Sequence, residues 1–255
     1  MTGLERTLIS IPWRMTKDFV FAGFQAFNEY HFRSFFGKDA CDAGRLFLVL
    51  DPHENAIPIS PVTQNRYVKR FYGRHADISL PGADPILGSG AIRATNYASA
   101  EASKYIRLDN ALKVCLDVDV RDSWDGSFIC YGSSSSNIKT YDIEHMPEMN
   151  LYEMGTTLFH GVNIPCWRMN GQDYTVMKRS DRAVLLRMRN PRSPGNYLFV
   201  CAGLGEWGST GAVRFLFRNW RTLHRLYKNG ANFCLIIDVE KNSDESAREI
   251  AAFSP

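Results

Sequence analysis

The sequence predicts an α/β protein, a Rossmann-like three-layer sandwich with a mixed, largely parallel sheet. Short, fully apolar runs typical of strands covered on both faces recur along the chain. Residues 197–239 are predicted to form a strand, a glycine-rich turn, a helix and a second strand, which is a β-α-β unit. With 45% hydrophobic and 22% charged residues in 255, the composition is typical of a globular protein, and we expect a single domain over residues 1–255.

An aromatic helix is predicted over residues 16–36. Its apolar side chains recur near one helical face, and further phenylalanines widen that surface. The recurring positions are Val20, Phe24, Phe27 and Phe35. We expect this helix to pack on more than one side, within the domain or across a homo-oligomer interface.

The rest of the N-terminal half is predicted to contain one strand, two loops and one short helix. The strand covers Arg45–Leu50, and proline-rich residues 51–66 follow as a loop. Residues 81–97 are predicted as a second loop because they are rich in glycine and proline, and residues 98–106 as a short helix. Residues 139–172 have no clear periodicity and stay unassigned.

The C-terminal half is predicted to contain five strands and one long helix. The turn NPRSPGN joins two of the strands, so that pair is expected to be antiparallel. The helix covers residues 209–229 and ends at Gly230. The tail after Lys241 is predicted as a short helix or an irregular end. The strands cover residues 113–120, 127–131, 183–189, 197–202 and 233–239.

The glycine turn is the main functional motif. Gly203, Gly205 and Gly208 have the spacing G-x-G-x-x-G, which lets a backbone approach a phosphate at a helix N-terminus. Ser209 and Thr210 follow and would add hydroxyl donors to a bound phosphate. The alternative is that the glycines only allow tight strand-to-helix packing.

A dinucleotide such as NAD is one ligand that this turn would suit. The acid that holds a ribose hydroxyl would then be Asp238, which lies 35 residues after Gly203 rather than the usual interval of about twenty. Glu206 and Trp207 are bulky for such a turn. The sequence therefore favours a broader class, an anion-binding turn, over a dinucleotide fingerprint.

A serine-rich loop follows the strand at residues 127–131. Ser134, Ser135, Ser136 and Asn137 offer small polar groups that cap a helix or donate to a phosphate or sugar. If this strand and the strand at 197–202 point the same way, the serine loop and the glycine turn flank one pocket. A polar turn without a ligand is the alternative.

Other candidate sites are weaker. An Asp-x-Asp pair, Asp117 and Asp119, resembles a cation site, but a solvated strand end is the preferred interpretation, and no metal site is predicted. The six cysteines form no C-x-x-C pair, which favours reduced core thiols in a cytoplasmic protein. No apolar run is long enough to cross a bilayer, so no membrane association is expected.

Basic residues are concentrated around the glycine turn. The segment from Lys178 to Lys228 holds eleven basic and two acidic residues, although the net charge of the chain is only +3. On the predicted helix 209–229 the cations form one stripe on a separate arc from the apolar face. The stripe consists of Arg214, Arg218, Arg221, Arg225 and Lys228. An anionic partner is expected here, but the nearly neutral overall charge makes nucleic acid an unlikely one.

These features predict a domain that binds a nucleotide or a similar phosphorylated small molecule. If it is an enzyme, hydrolysis of a glycosidic or phosphoester bond suits it better than hydride transfer, with Asp238, Asp181 or Glu206 as unranked acid/base candidates. The alternative is a non-enzymatic interaction module that docks through helices 209–229 and 16–36. The residues predicted to contact the ligand are Gly203, Gly205, Gly208, Ser209, Thr210, Ser134, Ser135, Ser136, Asn137 and Asp238.

Overall fold

The computed structural model describes residues 26–42, 44–51, 88–106 and 112–255. Four α-helices occur in these ranges: α1 (residues 26–36), α2 (Ser89–Ala102), α3 (Ile138–Glu144) and α4 (Glu206–Leu226). The strands there are β1 (Leu46–Leu50), β2 (Lys113–Leu116), β3 (Ser127–Tyr131), β4 (Glu153–Phe159), β5 (Val162–Met169), β6 (Gln172–Thr175), β7 (Ser180–Arg189), β8 (Tyr197–Gly203), β9 (Phe233–Glu240) and β10 (Arg248–Phe253).

The central element is a seven-stranded mixed sheet with the order β10-β9-β7-β8-β3-β1-β2. The four strands β8, β3, β1 and β2 are mutually parallel. Strand β7 is antiparallel to both β8 and β9, and β10 is antiparallel to β9. The predicted mixed α/β class is confirmed, and the parallel part of the sheet is confined to four adjacent strands.

The predicted β-α-β unit is present as β8, α4 and β9. Both strands point the same way, because each is antiparallel to β7. However, β7 lies between them, so α4 crosses over one strand before the chain returns to the sheet. The predicted antiparallel pairing across NPRSPGN is confirmed as the β7–β8 pair.

Both faces of the sheet are covered by apolar clusters. Successive strand residues alternate between the two faces, as the period of two requires. Leu48 and Leu185 belong to the cluster that contains α1, α2 and α4. Their neighbours Val49 and Leu186 belong to the cluster that contains α3 and the small antiparallel sheet β4-β5-β6.

Aromatic side chains attach α1 to the first face. Phe32, Phe35 and Phe36 are fully buried, and the Phe36 ring stacks on Phe217 of α4 with centroids 5.3 Å apart. The helical prediction is confirmed for residues 26–36, whereas residues 16–25 lie outside the described ranges. These buried aromatic contacts account for the packing of α1 within the domain. The role of α1 in an oligomer stays a prediction.

Several predicted boundaries were wrong. The predicted helix 98–106 begins nine residues earlier, at Ser89, inside the segment predicted as loop 81–97. Glycines and prolines suggested a loop, yet α2 packs through small side chains that let it approach its neighbours. These are Gly90, Ala91, Ala94, Ala98 and Ala102. Residues 51–66 of the other predicted loop lie outside the described ranges, apart from Asp51.

Two further corrections concern strand ends. The predicted strand 113–120 stops at Leu116, and Asp117–Val120 forms a 3-10 turn. The tail forms the edge strand β10 rather than a helix or an irregular end. The long helix runs from Glu206 to Leu226 instead of 209–229, and Gly230 has a positive φ of 68° just beyond it.

Candidate functional site

A crevice is expected where β3 and β8 end. The two strands are adjacent and parallel, with Tyr131 opposite Cys201 at their carboxyl ends. From there the chain after β3 enters α3 on one face, whereas the chain after β8 enters α4 on the other. Ligands of open α/β sheets bind at such points, where neighbouring connections diverge. The prediction that these two strands point the same way is confirmed.

The glycine turn forms the start of α4, and its amides already have an anionic partner. Gly205 is the N-cap residue, and its N–H donates to Asp181 Oδ1 at 3.1 Å. The N–H of Gly208 donates to Asp181 Oδ2 at 2.7 Å. A carboxylate at a helix N-terminus satisfies free donors and suits the helix dipole. The amides of Gly205 and Gly208 are therefore occupied by a carboxylate of the protein.

Close backbone packing explains the glycine spacing. A Cβ at Gly203 would lie 2.2 Å from the Gly205 carbonyl oxygen and 2.4 Å from the Ser209 nitrogen. A Cβ at Gly208 would lie 2.8 Å from Gly203 Cα. Strand β8 and helix α4 thus meet at a distance that only glycine permits. This geometry supports the packing alternative, and the phosphate-binding role of these glycines stays a prediction.

Both hydroxyls after the turn are engaged inside the protein. The Gly203 N–H donates to Ser209 Oγ at 2.8 Å. Thr210 Oγ1 donates to the Glu206 carbonyl at 3.0 Å and lies 3.2 Å from the Tyr131 hydroxyl. Since both side chains are buried, they stabilise the junction between β8, α4 and β3.

Asp238 lies on the other face of the sheet from α4. Its neighbours Ile237 and Val239 belong to the α4 cluster, so the alternation turns the Asp238 side chain away from that helix. Its carboxylate is buried and forms ion pairs with Arg182 and with Arg248, the latter at 2.9 Å. The fold therefore does not bring Asp238 to the glycine turn, where a ribose-binding acid would be needed.

The serine loop lies on the α3 side of the crevice. Gly132 begins it with a φ of 102°, and the Ser133 and Ser135 hydroxyls lie 2.7 Å apart. Ser135 is exposed, and Ser134 and Ser136 are half-buried. The Ser134 hydroxyl interacts with the Glu144 carboxylate, and the Ser136 hydroxyl donates to the Ser133 carbonyl at 3.2 Å.

Asn137 has a structural role. It is the N-cap of α3, as predicted, and its side-chain oxygen accepts from the Thr140 N–H at 3.0 Å. Its amide nitrogen donates to the carbonyls of Val49 and Tyr131 at 3.2 and 3.0 Å. The Asn137 side-chain amide is fully buried, and both its oxygen and its nitrogen form hydrogen bonds. It therefore connects β1, β3 and α3.

A second group of side chains meets around Gly90, and sequence reasoning did not single it out as a site. The Ser89 hydroxyl donates to Glu206 Oε1 at 2.7 Å. A Cβ at Gly90 would lie 2.5 Å from the Tyr131 hydroxyl and 2.6 Å from Glu206 Oε1. Asp51 directly follows β1, and a Cβ at Gly132 would lie 3.6 Å from Asp51 Oδ2. The sequence signal that could have identified this group is position, because Asp51 and Tyr131 lie at the carboxyl ends of predicted strands.

These groups set the electrostatics of the crevice. Burial, reinforced by the nearby carboxylates of Asp51 and Glu206, raises the pKa of Tyr131, so its phenol is neutral and can donate a hydrogen bond. Arg93 is the cation at this point: it bonds Asp244 at 2.8 Å, lies 3.7 Å from Glu206, and covers the Trp207 ring at 4.4 Å.

Other predicted features have different roles. The expectation of a solvated Asp117 was wrong, because its carboxylate is fully buried and accepts from the Ile138 N–H at 2.7 Å. The core-thiol interpretation is confirmed for Cys130, Cys201 and Cys234, which are buried and free, and burial raises the pKa of each.

The basic stripe of α4 is largely exposed. Arg218, Arg225 and Lys228 face solvent, whereas Arg214 lies 3.6 Å from Glu245 and Arg221 donates to Asn28 of α1 at 3.2 Å. The stripe and α1 therefore form one continuous surface.

No helix within the described ranges is long and apolar enough to cross a membrane. Those same ranges contain no group of three histidine, cysteine or acidic side chains arranged to hold a metal ion. Comparison of the chain with protein-family models, curated proteins and solved structures gave no match.

Proposed function

We propose that this protein is a single Rossmann-like three-layer domain that binds a nucleotide or a similar phosphorylated small molecule. The ligand would lie at the carboxyl ends of β3 and β8. The observation that carries the proposal is the divergence of the two connections there, with the serine loop entering α3 on one face and the glycine turn entering α4 on the other.

Accessibility decides which groups would contact the ligand. On one side these are the serine-loop residues Ser134, Ser135 and Ser136, whose hydroxyls suit phosphate or sugar oxygens. On the other side they are exposed Gly205 and Glu206 and half-buried Trp207 of the first turn of α4. The buried residues of the turn would shape the crevice, because their polar groups serve internal hydrogen bonds. These are Gly203, Gly208, Ser209 and Thr210.

The geometry favours a mononucleotide or sugar phosphate over NAD as the ligand. The glycine amides that would hold a pyrophosphate bind Asp181, and Asp238 is on the opposite face of the sheet. Phosphate recognition therefore rests on the serine loop, where the Ser135 side chain is exposed and the Ser134 hydroxyl is shared with the Glu144 carboxylate.

A thermal-shift screen tests this proposal. Purified protein would be heated with nucleoside monophosphates, ADP-ribose, ATP, cyclic nucleotides and NAD. A ligand present at 100 times its Kd stabilises the folded state by about 2.7 kcal/mol, which a melting curve resolves. We expect a shift with at least one mononucleotide or sugar-phosphate ligand.

Variants locate the site. The double variant Ser134→Ala/Ser135→Ala is expected to bind that ligand at least tenfold more weakly. Its matched control, Ser103→Ala/Ser254→Ala, removes two exposed hydroxyls at the end of α2 and at the chain terminus, and should bind normally. Absence of any shift, or equal binding by both double variants, would overturn the proposal.

A second surface favours the interaction-module alternative. Phe27 and Tyr30 of α1 are 59% and 68% exposed, and Leu226 of α4 is 64% exposed. The Arg221 hydrogen bond to Asn28 joins the two helices, so exposed aromatic and cationic groups share one surface that suits an acidic partner. Analytical sedimentation of the wild type and of the double variant Phe27→Ser/Tyr30→Ser tests self-association through α1. If both proteins are monomers, a homo-oligomer that forms through α1 is excluded.

A further inference from the structure

The outer part of the β4–β5 hairpin is a two-stranded ribbon that is largely exposed to solvent. Strand β6 pairs with β5 only over Cys166–Met169, so within the described residues the ribbon 156–165 has no third strand. Leu158 is 71% exposed, the highest value for a large apolar side chain in those residues, and Phe159 and Val162 are 53% and 61% exposed. Because a two-stranded ribbon is only marginally stable in water, a further strand would stabilise this one.

The outer edge of this hairpin has no protection against pairing with another chain. Strand β4 lies at the edge of the small sheet, and no strand of the described residues pairs with its other side. Residues 154–165 contain no lysine, arginine, aspartate or glutamate, and the β4–β5 register has no bulge. Charged side chains, prolines and bulges are what usually keep an edge strand from pairing with another chain. Beyond its first residue, Glu153, β4 has none of these.

The other sheet edges in the described part of the chain are protected. Strand β10 carries Arg248 and Glu249, and its register with β9 shifts between Glu249 and Ala251. The edge strands β2 and β6 consist of only four residues each, and very short edges pair poorly. Strand β4, by contrast, has seven regularly paired residues. It is therefore the edge that this fold leaves open.

The turn of the hairpin determines which backbone groups point toward the open edge. His160 and Gly161 have positive φ angles of 49° and 80°, as in a type I′ turn, so the flanking Phe159 forms a hydrogen-bonded pair with β5. Along an antiparallel strand, residues bonded to one neighbour alternate with residues bonded to the other. The backbone groups that point outward are those of Met154, Thr156 and Leu158.

We propose that two copies of this chain pair through β4 in an antiparallel, two-fold arrangement centred on Thr156. In this register the two Thr156 residues lie opposite each other, and each Met154 lies opposite Leu158 of the second copy. All outward-pointing backbone groups are then paired. Registers centred on Gly155 or Thr157 would leave Leu158 or Met154, respectively, without a partner on β4. The two three-stranded sheets become one continuous sheet.

The chemistry of the edge fits a second copy of this chain as the partner. The three outward residues of β4 share one face of the sheet, so apolar pairs would flank a central threonine pair. The edge has no free charge that an acidic or basic strand would complement, because Glu153 lies 3.8 Å from Arg168 of β5. A two-fold interface uses the same surface on both partners, so one neutral strand supplies both halves of it.

Analytical sedimentation of the full chain tests this proposal. We expect the wild type to form a dimer over a range from about 1 to about 100 μM, since small interfaces are at the weak end of affinity. Thr156→Lys places like charges opposite each other on the axis and should raise the dimer Kd at least about tenfold. The matched control Asn163→Lys adds the same charge at an exposed position of β5, away from the open edge, and should dimerise normally. Circular dichroism melting curves verify that both variants fold.

Chemical cross-linking tests the register. Cysteines introduced by Thr156→Cys would lie about 5 Å apart across the axis and should be joined by a short bis-maleimide reagent. Cysteines introduced by Asn163→Cys would be at least three strand spacings apart, about 14 Å, and a reagent shorter than this should not join them. The wild type gives the background from the native cysteines.

Each outcome supports or overturns the proposal. A wild type that stays a monomer over the whole concentration range overturns it and leaves β4 as a site for a strand of a different protein. A dimer that persists in Thr156→Lys overturns the assignment to β4, and its loss in Phe27→Ser/Tyr30→Ser would place the interface on α1 instead. Cross-linking that is absent in Thr156→Cys, or equal in the two cysteine variants, overturns the register centred on Thr156.

Discussion

Two cationic side chains are fully buried within the described residues, and their surroundings differ. Lys139 Nζ donates to the carbonyls of Val120 and Arg121 at 2.9 and 3.1 Å, and also to that of Ser123. Arg187 has no such set of carbonyl acceptors in the part of the chain that the structure describes, and its polar partner is Tyr197. Its guanidinium carbon lies 4.1 Å from the ring centre of Tyr197 and 4.7 Å from that of Phe35.

Replacing Arg187 with methionine should stabilise the protein. A buried charge that lacks carbonyl and carboxylate acceptors carries a desolvation cost that contacts with Tyr197 and the other aromatic rings offset only in part, and methionine fills a similar volume. We expect the free energy of unfolding to rise by about 1–3 kcal/mol, measured by urea denaturation. A fall of similar size would show that the aromatic contacts alone stabilise the guanidinium.

The same replacement at Lys139 should have the opposite effect. Lys139→Met leaves three carbonyl groups without their donor, and an unsatisfied buried acceptor is costly. The expected loss is about 2–4 kcal/mol in the same urea experiment. An unchanged midpoint would mean that water replaces the ammonium group at these carbonyls.

His224 should make stability depend on pH. Its Nε2 lies 3.2 Å from His31 Nδ1, and burial, with smaller contributions from His31 and Arg187, lowers its pKa below the ordinary 6.5. The unfolded chain therefore binds a proton more readily, so stability falls as the pH drops below about 6.5 and levels off once the pH is below the pKa of the folded state. Urea denaturation at several pH values should show that the free energy of unfolding falls less for His224→Gln than for the wild type as the pH drops. The same pH dependence in both proteins would contradict this role of His224.

At the scale of elements, the start of α4 depends on one carboxylate. Asp181 accepts from the N–H groups of Gly205, Gly208 and Arg182, and the last of these bonds is 2.8 Å long. Asp181 thereby joins the first residues of β7 to α4, the helix that crosses over this strand.

Asp181→Asn should weaken this junction. The amide has one acceptor oxygen instead of two and no charge to complement the helix dipole, so we expect a loss of about 1.5–3 kcal/mol by thermal or urea unfolding. The control Asp122→Asn changes an exposed carboxylate and should be neutral. Equal stability of the two variants would contradict the capping role.

The elements that the sequence predicts well are those with a strong periodic signal. The fully apolar strands β1, β3, β8 and β9 match their predicted positions closely. The first nine residues of the second helix were missed because it packs through alanine and glycine, which hydrophobic periodicity hardly detects. The strand β10 and the small sheet β4-β5-β6 were missed because they are short-range antiparallel additions with many exposed residues.

The candidate site was predictable only in part. Strand ends and turn residues located the crevice, because both loops follow apolar runs whose direction the fold then fixed. The partners could not be predicted, since Asp181 reaches the glycine amides from β7 and Ser89 reaches Glu206 across 117 residues of sequence. A spacing such as G-x-G-x-x-G does not show whether its anion is a ligand or a carboxylate of the same chain.

For the whole molecule, the central claim is that the divergence of the connections after β3 and β8 creates a ligand site. A crystal structure of the protein soaked with the monophosphate that gives the largest thermal shift tests it most directly. We predict ligand density between Ser134–Ser136 and the first turn of α4. Density confined to the basic surface of α1 and α4, or none at the crevice at saturating ligand, would contradict the account.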